Sequence, residues 1–322
     1  MSRTIIWVPL LLLAIIAVAL LAGPRVNFDT NLEPVQLPAD LDTYLAQSEA
    51  QFDDIVPGAE KTIIWAGEPG QKTPLSVIYL HGFSATRQEI APLPEELAAE
   101  LGANLYYDRF TGHGRTGEAL AEASVNDWLN DAHEALEIGR RLGEEVIVIG
   151  TSTGGTAAAW LAAQPGTEDV RTFALISPNF APQNRSSEIL TWFWGEQIAK
   201  MIIGPERSWE PSNELEARYW TESYPTEALL PMMAMVKLAR GADLESASSP
   251  LLVIYSPDDQ TVSHEFTDEA FDRYGAPSKE TYIVKDSQDP SNHVIAGDIV
   301  SPNTTAEVRQ AILSFIESLP PE

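Results

Sequence analysis

The chain predicts an α/β fold: a mainly parallel sheet flanked by helices, with an inserted helical cap and an N-terminal hydrophobic helix. Three observations carry that expectation. From Thr62 onward, short β-branched runs alternate with helical patterns, and strands separated by helices pair in parallel beneath helices on both faces. The run Val146-Ile-Val-Ile149 passes through the small residues Gly150-Thr-Ser152-Thr-Gly154-Gly155 directly into an alanine-rich helix. Residues 181–249 break the alternation, carrying many aromatics and methionines but no clear strand.

Taken in order, residues 1–25 hold an unbroken apolar stretch, 5–22, preceded by Arg3 and followed by Gly23-Pro24-Arg25. As a helix it would reach about 27 Å, close to the thickness of a bilayer's hydrocarbon core. A signal anchor and a cleaved signal peptide both fit. The anchor is favoured, because the stretch is long for a signal and Leu20 is a poor residue three back from a cut at Ala22. Either way the domain that follows is expected outside the cytoplasm, membrane-anchored or secreted. Residues 26–57, rich in Pro, Asp and Asn, read as a linker, with a short helix over 40–52. The core is expected over 58–180 and 250–322. Its strands are predicted at 62–65, 75–80, 104–107, 146–149, 172–176, 251–255 and 281–284, and its helices at 88–101, 125–142, 156–163, 265–274 and 305–319. The helix 125–142 shows apolar Val125, Trp128, Leu129, Ala132 and Leu136 on one face, and Ser124 with Asp127 is a capping-box signature at its start.

Composition excludes several functions. Lys+Arg number 20 against Asp+Glu 47, so a nucleic-acid partner, which needs clustered cations, is not expected. Cysteine is absent, which removes disulfides, thiolate nucleophiles and cysteine metal sites. Oligomeric state is not legible.

Gly150-x-Ser152-x-Gly154 between a strand and a helix is a nucleophile elbow: the turn is too tight for bulk two residues either side of the serine. A serine needs a base to take its proton, and histidine suits neutral pH. Of the five histidines, His293 lies after the last strand, late enough to follow a strand-end acid by a full strand–helix unit. His264 stands too close to that acid, His133 lies on a polar helix face, His113 sits in the loop Gly112-His-Gly114, and His81 reads as a structural hydrogen-bonding residue. The acid should follow strand 251–255, where Asp259 is preferred to Asp258 by its spacing from Ser256 and Val262. Negative charge on a tetrahedral intermediate should meet two backbone N–H groups, those of Thr153 and of Phe83 in His81-Gly82-Phe83. The cap, 181–249, is expected to close an apolar pocket, with Trp192, Trp194 and Met232 as candidate substrate contacts while most of its aromatics pack it onto the core.

His81-Gly82-Phe83, Gly112-His113-Gly114, the Gly150–Gly155 elbow, Asp259-x-x-Val262 and Asn292-His293-Val294 together resemble the α/β-hydrolase superfamily, in its capped esterase and monoacylglycerol-lipase branch. The resemblance runs from about Thr62 to the C-terminus. It implies hydrolysis of carboxylic esters through an acyl-serine without metal or organic cofactor, a triad of Ser152, Asp259 and His293, and a small-molecule or lipid ester as substrate. A peptidase or amidase of the same fold, or a non-catalytic binding protein on this scaffold, are the alternatives. Many members of the branch lack the N-terminal hydrophobic segment found here.

Overall fold

The computed structural model describes residue 18 and residues 22–320. The expected N-terminal hydrophobic helix lies outside the described residues, apart from Val18 and Ala22. Among the described residues no helix is long and apolar enough to cross a membrane.

The first described elements sit on the stretch expected as a linker. Helix α1 (Leu41–Glu49) starts where the Asp40 side chain accepts from the Thr43 N–H, and its i,i+4 pair Leu41 and Leu45 is buried in the core. Val26, Phe28, Leu32 and Leu37 pack on the same core, and Asn126 Nδ2 and Asn130 Oδ1 hold the backbone of Asn31 and Glu33. Residues 26–57 are thus laid along the body rather than spanning a gap. Their coil-forming composition is real, but the scattered apolar residues give each turn of the coil something to bury.

The main sheet contains β1 (Thr62–Ile64), β2 (Thr73–Leu80), β3 (Asn104–Tyr107), β4 (Gly143–Thr151), β5 (Val170–Ile176), β8 (Leu251–Tyr255) and β9 (Lys279–Ile283), in the order β1-β3-β2-β4-β5-β8-β9. Only β1 runs antiparallel. Helical crossovers join β2 to β3 through α2 (Leu93–Leu101), β3 to β4 through α4 (Val125–Leu142), β4 to β5 through α5 (Thr153–Ala162) and β8 to β9 through α9 (His264–Arg273), while the inserted segment joins β5 to β8; α3 (Gly117–Glu122) is a short addition before α4 and α10 (Pro302–Ser318) closes the chain. The pleat divides the core in two. Ile78, Leu80, Val148, Phe173, Leu175 and Val253 face α4 and α5, while Val77, Tyr79, Ile147, Ile149, Ala174, Ile176, Leu252 and Ile254 face α2 and α10. Helix α4 carries the expected capping box, Ser124 and Asp127 each bonding the other's backbone N–H, and buries Trp128, Leu129, Ala132 and Leu136.

The register aligns strand ends. Leu80 pairs with Gly150, Thr151 with Ile176, and Ile176 with Ile254. The loops leaving β2, β4 and β8 therefore emerge at one edge, where a site on a parallel sheet is built. Between β5 and β8 the inserted segment folds as α6 (Gly195–Ile203), α7 (Glu214–Tyr219) and α8 (Leu229–Gly241), and it also contains a strand pair that the sequence did not suggest. Strands β6 (Glu206–Ser208) and β7 (Ser223–Pro225) form an antiparallel two-stranded ladder. Three polar residues against a strand ending in proline give no alternating apolar signal, so only tertiary packing reveals them.

Candidate active site

Ser152 occupies the turn between β4 and α5 with φ 51 and ψ −113, in the positive-φ region that non-glycine residues seldom adopt. The turn can close only because its flanks are glycine. A Cβ on Gly150 would sit 2.5 Å from the Gly154 carbonyl oxygen, and one on Gly154 would overlap the Leu80 carbonyl oxygen. The serine backbone is tied on both sides: its N–H donates to Ile176 O (2.9 Å), and its carbonyl accepts from Asn179 N–H (3.1 Å) and the Thr156 hydroxyl (3.1 Å).

His293 Nε2 lies 3.0 Å from Ser152 Oγ, and its Nδ1 lies 2.8 Å from Asp259 Oδ2. The tautomer that satisfies both bonds carries its proton on Nδ1, leaving Nε2 to accept from the serine hydroxyl. Asp259 is buried, and its second oxygen accepts from Thr261 N–H (2.7 Å) and Val262 N–H (2.9 Å). Asp258 points to solvent. Burial works against an imidazolium at His293, but the facing Asp259 carboxylate outweighs it, aided by Glu89 and Asp289, so the ring titrates above its ordinary value.

Two acids missed by sequence reasoning hold this arrangement. Asp289 accepts from the backbone N–H of His293 (2.9 Å) and Val294 (2.8 Å) and from Ser291, fixing the loop that presents the histidine. Burial opposes its charge, but those donors prevail and hold its carboxyl below the usual value. The spacing Asp289-x-Ser291-x-His293 is an Asx-turn signal that could have exposed it. Glu89, in the 3₁₀ turn Arg87–Glu89, lines the cavity and accepts from Gly82 N–H (2.7 Å).

Gly82 N–H is therefore committed, whereas among the described residues Phe83 N–H has no protein acceptor. Thr153 opens α5, so its N–H is one of the helix's unpaired N-terminal donors. Both candidate oxyanion donors are thus uncommitted. His81 is buried with Nε2 accepting from Phe110 N–H, and burial pushes it down to about 4, so it stays neutral and ties β2 to the neighbouring loop. His113 is likewise buried and packed against His81 and Trp128.

A cavity of about 540 Å³ opens over Ser152 and His293. Met232 lines it, but Trp192 and Trp194 do not: they are 57% and 38% exposed, on the outward side of the turn before α6. The aromatic walls come instead from Trp209, Trp220 and Tyr224, brought inward around the β6–β7 pair, and Phe83 meets Tyr224 edge-on at 5.3 Å. Nothing in the local sequence distinguishes the inward tryptophans from the outward ones, because the unanticipated β6–β7 pair decides which way they face. Among the described residues no cluster of three or more His, Cys, Asp or Glu is arranged to hold a metal ion.

The fold and the site define a serine hydrolase of the α/β-hydrolase class. Residues 71–287 match the family described as serine aminopeptidase, S33, and the chain belongs to that family. It is 23% identical, over 227 residues, to the thermostable monoacylglycerol lipase of Bacillus sp. (strain H-257), covering 70% of this chain and 87% of that one. Among solved structures it is similar in fold to the metagenome-derived lipolytic enzymes LipS and LipT (TM-score 0.67, 21% identity, 82% of this chain and 100% of that chain). It is also similar to the monoacylglycerol lipase of Paleococcus ferrophilus (TM-score 0.58, 17% identity, 80% and 98%).

Proposed function

We propose that the protein hydrolyses carboxylic esters with lipid-like acyl groups, of acylglycerol type, through an acyl-serine at Ser152. The observation that carries this is the hydrogen-bonded series Ser152, His293, Asp259 at the floor of a largely apolar cavity. His293 Nε2 takes the proton as Ser152 Oγ attacks the ester carbonyl. The tetrahedral oxygen is met by the N–H groups of Phe83 and Thr153, and the imidazolium, steadied by Asp259, returns the proton to the departing alcohol. Water then repeats the sequence on the acyl-serine. The acyl chain lies against Met232, Trp209, Trp220 and Tyr224, a wall suited to hydrocarbon.

The family's description favours a second reading, an aminopeptidase. A substrate ammonium needs carboxylate partners, and Glu89 is the one carboxylate among the cavity's lining residues, already engaged by Gly82 N–H and the Tyr79 hydroxyl. The ester reading is therefore preferred. A fluorophosphonate probe is expected to label the wild type and not Ser152→Ala. p-Nitrophenyl esters of graded chain length are expected to turn over faster than aminoacyl amides. Equal labelling of the two proteins would remove Ser152 from the mechanism, and faster amide turnover would overturn the ester assignment.

The protein is further proposed to work outside the cytoplasm, held to a membrane by residues 5–22. Supporting this, Pro24 O accepts from Trp194 N–H (2.7 Å), which fastens the chain that follows the apolar stretch to the cap. The cap beside it exposes Trp192, Met201, Ile202 and Ile203, of which the last two also line the cavity.

A further inference from the structure

Glu89 is a buried carboxylate that the hydrolytic steps do not use. One oxygen accepts from Gly82 N–H (2.7 Å) and from the Tyr79 hydroxyl (2.8 Å), and that hydroxyl also lies 3.1 Å from Thr151 Oγ1, the residue before the nucleophile. The other oxygen fills the space that a side chain at Gly82 would need: a Cβ there would stand 2.5 Å from it. The backbone of the same turn meets the loop carrying His293. A Cβ on Gly297 would lie 2.5 Å from Glu89 O, and Asp298 N–H donates to Ala91 O (2.8 Å). This segment therefore touches the oxyanion loop and the histidine loop directly, and reaches the strand leading into the elbow through the Tyr79 hydroxyl.

We propose that Glu89 is a positioning residue for ester hydrolysis, bracing the Gly82-Phe83 loop against the Ser152 elbow so that the Phe83 N–H is aimed at the developing oxyanion. The bond to Glu89 fixes the orientation of the peptide preceding Phe83 by one residue and occupies the Gly82 N–H. It thereby separates two adjacent backbone donors, one structural and one free. Donors fixed before reaction need no reorganisation when charge develops, which is the source of their worth. Burial raises the Glu89 carboxyl's own titration, while Gly82, Tyr79 and the nearby His293 favour its charged form. The charged groups acting on His293 are Asp259 from the loop after β8, Asp289 from its own loop, and Glu89 from the turn after β2. Glu89 is thus the one member of the set that belongs to the oxyanion side.

This inference rests on the assignment of Ser152 and His293 as nucleophile and base, and the fluorophosphonate comparison with Ser152→Ala tests that assignment separately. Glu89→Ala and Glu89→Gln are compared in the full chain by kcat, KM, probe-labelling rate, pH profile and Tm. Loss of a whole oxyanion donor costs about 10²- to 10³-fold. A donor left in place but unbraced is expected to lose about tenfold or more in kcat in Glu89→Ala, with KM little changed and labelling slowed in parallel. Glutamine keeps an oxygen that accepts both bonds but removes the charge. Glu89→Gln is therefore expected to recover kcat to within about threefold of wild type, with the acid limb of kcat/KM moved about half a pH unit lower. Wild-type kcat in Glu89→Ala, or a kcat loss that glutamine does not recover, would overturn the brace. If Glu89→Ala does not fold, Tyr79→Phe decides: removing the hydroxyl that joins Glu89 to Thr151 is expected to lower kcat about two- to fivefold at unchanged KM, and an unchanged kcat counts against the proposal.

Discussion

Ser152 works from a backbone conformation of the kind that costs about 1–3 kcal/mol and persists only where surrounding bonds over-determine it. Here those are the contacts to Ile176, Asn179 and Thr156. His293 has the complementary problem. It is buried, which disfavours its charged form, yet the proposed mechanism requires that form in every turnover. Asp259 reverses the balance and lifts the ring above its ordinary value. A base acts only when neutral, so kcat/KM is expected to fall on acidification with a midpoint above about 6.5. The same shift contributes stability that is full below about 6.5 and lost as pH rises through the folded value. A pH profile of kcat/KM measures the first effect, and an acid limb at or below the ordinary value would contradict it. His293→Ala should abolish ester turnover with its circular dichroism unchanged. At this scale the sequence was most legible. Ser152, Asp259 and His293 are constrained by side-chain chemistry and chain order, and only five histidines compete. Asp289 and Glu89 act through backbone N–H groups, and no residue type announces which peptide will need a partner.

At the scale of elements, the elbow is a packing device between β2, β4 and α5. Helix α5 opens directly at Thr153, three residues before the start expected at Thr156, because the glycines let the helix begin inside the turn. Every residue of α5 is buried, so its small side chains let the helix approach the sheet closely. Gly154 is the tightest point, against the Leu80 carbonyl of the strand that leads to Phe83. Gly154→Ala must therefore displace either the nucleophile or the oxyanion loop. A stability loss of about 1–3 kcal/mol is expected, with activity falling about 100-fold or more in the protein that does fold. Urea unfolding and kcat on p-nitrophenyl butyrate check the two effects; wild-type values for both would show that the loops tolerate separation. The core strands and α4 were readable because period-two and period-3.6 patterns are long there. The stretch 88–101 was only half readable: the structure splits it into the 3₁₀ turn Arg87–Glu89 and α2 at Leu93–Leu101. The β6–β7 pair, too short to carry a period, reversed the assignment of the cavity's tryptophans.

At the scale of the whole molecule, a chain of net charge −27, whose self-repulsion favours solubility, carries an apolar N-terminal sequence and an exposed apolar patch on its cap. The residues just after the apolar stretch meet the cap. Pro24 is bonded to Trp194, and Arg25 lies over the Phe193 ring at 5.3 Å, so the chain reaches the body beside the cap and not on the far side of the sheet. A membrane attached through residues 5–22 would thus lie near the exposed Met201 and Ile202 and the cavity opening at Ile202 and Ile203. Attachment there would raise the effective concentration of membrane-dissolved esters at the cavity without altering the chemistry. Deleting residues 1–22 separates the two effects. Both chains are expected to hydrolyse soluble p-nitrophenyl butyrate at equal rates. The full chain alone should float with phosphatidylcholine vesicles, and it should hydrolyse vesicle-borne monoacylglycerol about tenfold or more faster than the shortened one. Equal flotation would assign membrane binding to the cap alone. A mature chain beginning near Gly23 in its host would make the stretch a removed signal, leaving the acidic body free outside the cytoplasm.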